Sequence, residues 1–158
     1  MQIKINFKSQ IQNLGALILM TIFYYALIVS VEKDFLQKWY WHLPVIIVFV
    51  PTIAIHISYL LKNYNDEYEV DKRHITDRNK KVKYEVNSIY KIVIYKYESL
   101  PSGINFLPFH NYQYCKVVLK NGESFIMTSL LKYKIGAFLK QTLEGVVFEN
   151  NYKYLPSL

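Results

Sequence analysis

Polar side chains are nearly absent from two long stretches at the start of the chain, and alternate with apolar ones through much of the rest. The first uncharged apolar run extends from Ser9 to Val31 and the second from Trp39 to Leu61. Each is about 23 residues long, and a helix needs about 20 to cross a hydrocarbon core. Only residues 32–38 separate them, which leaves room for a tight turn and no more. The pattern predicts a membrane α-helical hairpin. Trp39, Tyr40 and Trp41 open the second run as an interfacial belt and Tyr59 helps close it. Pro44 falls in the first turns, whereas Pro51 removes a backbone bond near the middle and predicts a kink. The first run is about twice the length of a signal-peptide core, and Leu27 to Val31 lacks small residues at cleavage spacing, so it is expected to be retained.

From Tyr64 onward the period shortens to two. Glu67–Val70 and His74–Thr76 read as strands about an Asp71-Lys72-Arg73 turn, and Asp77 to Lys80 as a second turn. Val82, Tyr84 and Val86 alternate with Lys81, Lys83 and Glu85, and Ser88 to Glu98 is dense in Ile, Val and Tyr. Asn121-Gly122 separates Tyr112–Lys120 from Glu123–Thr128, the signature of a type I′ hairpin. Ser129 is placed to cap a helix carrying Leu131, Ile135, Phe138, Leu139 and Thr142 at helical spacing, with Gly145 as its stop. Val146 to Phe148 adds at most a short strand, and Asn150 to Leu158 reads as a loose tail. The boundaries are a cytoplasmic N-terminus 1–8, spans 9–31 and 39–61 joined by an extracytoplasmic turn 32–38, a domain 62–145 and a tail 146–158.

Charge sets the orientation. Lys4 and Lys8 precede the first run, and Lys62, Lys72, Arg73, Arg78, Lys80, Lys81 and Lys83 follow the second, so both termini are expected in the cytoplasm. The composition, poor in Arg and rich in Lys, Asn, Ile and Tyr, points to an AT-rich bacterial genome and hence a cytoplasmic (inner) membrane. The net charge of +7 raises nucleic acid as a partner. Each basic residue beside anionic lipid is worth about 1 kcal/mol, which accounts for the charge without it. No nucleic-acid partner is expected.

The chemistry of a catalytic site is missing from the pattern. His42, His56, His74 and His110 fall on separate elements, the five glycines are scattered, and the single cysteine, Cys115, lies in an alternating strand. No enzyme activity, cofactor or metal is expected. His56, near the end of the second run, is explained by a neutral imidazole bonded to a carbonyl or water. Leu100 to Phe109 is uncharged and contains Pro101 and Pro108, a loop by its turn residues yet unusually apolar.

Between Tyr68 and Leu143, Ile75-Thr76-Asp77, the segment Val86 to Ile92, Val117 to Gly122 and Phe125 to Leu131 carry a resemblance. After two apolar helices they resemble small bacterial membrane proteins with a pleckstrin-homology-like (PH-like) domain. The resemblance implies an α+β domain, a small antiparallel, partly open barrel capped by a C-terminal helix. Eukaryotic relatives read phosphoinositides through basic residues near the first hairpin. The expected function is a membrane-held interaction module that binds a protein partner or anionic lipid headgroups. Arg73, Arg78, Lys80, Lys81 and Lys83 would supply the lipid attraction, and Ile104, Phe106 and Phe109 the apolar contact. The alternative is a ligand-gated effector, in which the sheet domain senses a small molecule such as a nucleotide and the helices homo-oligomerise to perturb the bilayer.

Overall fold

The structure, a computed structural model, describes residues 1–30, 38–97 and 107–153. It opens with a strand, β1 (Gln2–Lys4), ahead of the first long helix, α1 (Phe7–Ser30). A 3-10 turn at Trp39–His42 leads into α2 (Leu43–Asn63), which carries Pro44 in its first turn and continues through Pro51 as one helix. Then come β2 (Glu67–Val70), β3 (His74–Asp77), β4 (Val82–Glu85), β5 (Ile89–Tyr97), β6 (Gln113–Leu119) and β7 (Ser124–Thr128). A short helix, α3 (Ile135–Thr142), and a last strand, β8 (Phe148–Lys153), complete the described chain.

The strands form two four-stranded sheets, in the orders β1-β2-β3-β4 and β7-β6-β5-β8. All pairings are antiparallel except β8, which runs parallel to β5. Aspartates shape both turns around β3. Asp71 Oδ1 accepts from the Arg73 and His74 amides at 2.8 and 2.9 Å, and Asp77 Oδ1 from the Asn79 and Lys80 amides at 3.1 and 3.0 Å. Alternation then puts Tyr68, Val70 and Ile75 of the first sheet inside, against Ile92, Ile94, Cys115, Val117 and Met127 of the second. α3 closes this core with Ile135 and Leu139, both fully buried. Gly136 lets the helix approach β5: a Cβ there would stand 2.8 Å from Ile94 Cγ2.

Four local expectations change. Residues 1–8 are not simply a segment ahead of a span. Gln2, Ile3 and Lys4 pair with Glu69, Tyr68 and Glu67, and Ile3 is 3% exposed. The helical hairpin is therefore inserted between the first two strands of one sheet. The hairpin at Asn121-Gly122 forms, but only Gly122 takes a positive φ, 89°, so the turn is not type I′; Asn121 Oδ1 instead accepts from the Glu123 amide at 3.0 Å. Ser129 caps no helix. Its amide continues the sheet by donating to the Gln113 carbonyl, and α3 begins six residues later behind Lys134. The segment read as a loose tail supplies β8, held beside β5 by a Lys91–Glu149 ion pair of 2.9 Å. Most of the 32–38 turn and residues 100–106 of the apolar loop lie outside the described residues.

Candidate functional site

Polar side chains inside the helix ends join the hairpin to the sheets. Asn13, on α1, is fully buried: its Nδ2 donates to the Ser9 and Ser129 carbonyls at 2.7 and 3.0 Å, and its Oδ1 accepts from Ser129 Oγ at 2.6 Å. Asn63, the last residue of α2, is equally buried. Its Oδ1 accepts from the Thr128 amide at 3.0 Å and its Nδ2 donates to the Ile126 carbonyl at 3.1 Å. These amides satisfy the backbone where β7 ends, as a buried polar group must be satisfied if it is not to cost stability. One turn earlier on α2, Tyr59 packs edge-on to Tyr112 and Tyr114. His56 Nδ1 meets the Tyr112 hydroxyl at 2.8 Å, so a tyrosine takes the place of the expected carbonyl or water. Burial pushes the Tyr112 phenol up, which keeps it protonated.

At the opposite ends of β2 and β4 the surface is charged. A cleft of about 600 Å³ is lined by Lys72, Arg73, His74, Lys83, Glu85 and Glu144, among others. Lys72 and Glu144 bind each other at 2.8 Å, which pulls the Glu144 carboxyl below its usual range and raises the Lys72 ammonium. Asp71 Oδ2 stands 2.7 Å from His74 Nε2, and the Arg73 amide helps hold the Asp71 carboxyl low. Arg73 and Lys83 form no ion pair among the described residues, so they are the cations this cleft can offer to a ligand.

A family profile described as PH domain matches residues 2–134. The chain belongs to the PH-domain family. The match starts in β1 and runs through both apolar helices and all of β7, so the hairpin lies within the PH-domain sequence rather than in front of it. No curated protein matches the chain. PH domains are typically non-catalytic interaction modules with protein or lipid partners.

In this PH domain the five cations singled out from sequence do not form one patch. Arg73 sits in the β2–β3 turn and Arg78, Lys80 and Lys81 in the β3–β4 turn, at opposite ends of β3, with Lys83 on β4. Arg78 is bound to Glu69 at 2.8 Å, which lowers that carboxyl, and Lys80 stands 3.7 Å from Asp77. Of the apolar contact residues, Ile104 and Phe106 lie outside the described residues. Phe109 is half-buried and packs against the Ile55, Tyr59 and Tyr112 cluster, so it belongs to the joint between hairpin and domain. Sequence reading passed over Asn13 and Asn63. The signal was there, as two amides in or beside otherwise apolar runs, where a polar group must find a partner.

Proposed function

We propose that this PH-domain protein is a membrane-anchored interaction module, its two helices crossing the bilayer and its sheets held at the cytoplasmic face to bind a protein partner or anionic headgroups. The observation that carries the reading is the hairpin's placement. It is built into the domain between β1 and β2, its domain-side turns are covered, and elsewhere its apolar side chains face outward. Only 11% and 22% of the two most apolar helix windows are buried, which suits lipid contact and not the core of a soluble fold. Arg73 and Lys83 supply the headgroup attraction from their cleft, with Arg78, Lys80 and Lys81 as a second basic turn. The two sheets enclose a filled apolar core and no deep Arg- and Tyr-lined pocket is found among the described residues, which favours the module over the ligand-gated effector.

Topology is tested with a single cysteine at Asn87 or Asn121 in a Cys115→Ala background, expressed in a bacterial inner membrane. A membrane-impermeant maleimide should label it only after lysis of spheroplasts. Labelling of intact spheroplasts would place the domain outside, and release of the protein by alkaline carbonate would remove the spanning helices.

A further inference from the structure

A second cleft, of about 340 Å³, lies between β5, the start of α3 and β8. Its wall includes Lys96, Lys134 and Lys140, together with Gln113, Asn150 and His110, and no carboxylate among the described residues. We propose that this cleft binds a phosphate-bearing ligand through the three ammonium groups, with Gln113 and Asn150 as polar contacts. The proposal stands on this cleft alone, apart from Arg73, Lys83 and the membrane topology.

The lysines are the reason. Acidic partners are supplied to Lys72, Arg78, Lys80 and Lys91, but none of these three forms an ion pair among the described residues. Each only lies near an aromatic ring: Lys96 at 5.1 Å from Tyr152, Lys134 at 5.7 Å from Tyr133 and Lys140 at 5.8 Å from Phe148. Three cations lining one small cleft repel one another, with salt screening acting over roughly 8 Å at physiological ionic strength. A multivalent anion relieves that repulsion, and ammonium groups are suited to phosphate as point charges. A carboxylate would neutralise one charge, whereas a phosphate monoester or diphosphate neutralises two or more. His110 stacks on Tyr97 at 3.8 Å, and neither of its buried ring nitrogens has a hydrogen-bond partner among the described residues. The cleft is near the lower end of the roughly 300–1,000 Å³ of small-ligand sites, which suits a headgroup or a small phosphate compound and not a polymer. His110 sits in the Pro108–Asn111 turn, and Asn111 of that turn reaches the Asn13 carbonyl of α1 at 3.5 Å. The phosphate can therefore come from a lipid headgroup or from solution.

The test uses the full chain in phosphatidylcholine nanodiscs. One arm titrates inorganic pyrophosphate by calorimetry at physiological salt. The other adds phosphatidic acid to the nanodisc and counts retained lipid by native mass spectrometry. Wild type should bind at least one probe saturably; pyrophosphate alone assigns a soluble ligand, phosphatidic acid alone a headgroup, and both a site for the shared phosphate. The triple variant K96Q/K134N/K140Q should lose about tenfold or more in affinity. The charge-matched K116Q/K120Q/K132Q, three lysines that line neither cleft, should stay within about threefold. Lys140→Glu alone should give the same loss if the triple variant is unfolded by circular dichroism. Binding of neither probe by wild type, or equal losses in the two triple variants, would overturn the proposal.

Discussion

Lys81 and Lys134 hold φ values of 55° and 54°, the left-handed region that costs a side chain with a Cβ about 1–2 kcal/mol. Lys81 is exposed in its turn, so Lys81→Gly should raise stability, by about 0.5–1 kcal/mol once glycine's extra unfolded-state freedom is subtracted, measured by thermal unfolding in micelles. Asn13 makes the opposite case. Asn13→Leu removes three hydrogen bonds and leaves the Ser129 hydroxyl and carbonyl buried without that partner, a loss of about 1–3 kcal/mol. Faster amide exchange at the α1 end and at Ser129 should report it. His110 carries a pH effect: desolvation holds its imidazole below the usual histidine value, and unfolding returns it to about 6.5. The unfolded chain then binds more protons between the folded value and about pH 6.5, so stability is full above that range and falls as pH drops through it. Lys96, Lys134 and Lys140 line the same cleft and act in the same direction. His110→Phe should flatten this part of the stability profile, measured by denaturant unfolding across pH.

Among the elements, β1 is the least expected and the easiest to test. If Ile3 is core, Ile3→Ala should cost about 2–5 kcal/mol; an effect near zero would show that β1 does not belong to the folded domain. Gly136→Ala should also destabilise, because the added methyl meets Ile94 and the Gln113 Oε1, and overpacking of this kind costs about 1–3 kcal/mol. Six strands, β2 to β7, are legible from sequence within a residue or two: β2 and β3 alternate buried with less buried positions, whereas β5, with Ile92, Val93 and Ile94 all buried, shows itself by its run of Ile, Val and Tyr. β1 and β8 escape that reading for separate reasons. β1 is three residues long and its partner lies beyond both helices, so no local pattern announces it. β8 is a solvent-exposed edge rich in polar residues, Glu149-Asn150-Asn151, and has no apolar face to display. The start of α3 was misplaced because Ser129 has a cap's chemistry but spends it on Asn13.

For the molecule as a whole, charge density in sequence proved a poor guide to charge in space. The basic run from Lys72 to Lys83 is divided by β3, and several members are neutralised locally. The trio Lys96, Lys134 and Lys140, which forms no ion pair among the described residues, is spread along the chain and meets only when β5 and α3 pack. Hairpin insertion also puts biosynthesis in a set order. β1 leaves the ribosome first yet cannot pair until β2 emerges, about 60 residues later. Joining strands across that distance costs about 2 kcal/mol more loop entropy than a four-residue turn. On the proposed topology, a hairpin already seated in the bilayer would bring the two ends together and remove that cost. Maturation of the sheet domain would then become a checkpoint on membrane insertion: a nascent chain whose helices fail to insert would keep an open β2 edge, a ready target for proteases and chaperones.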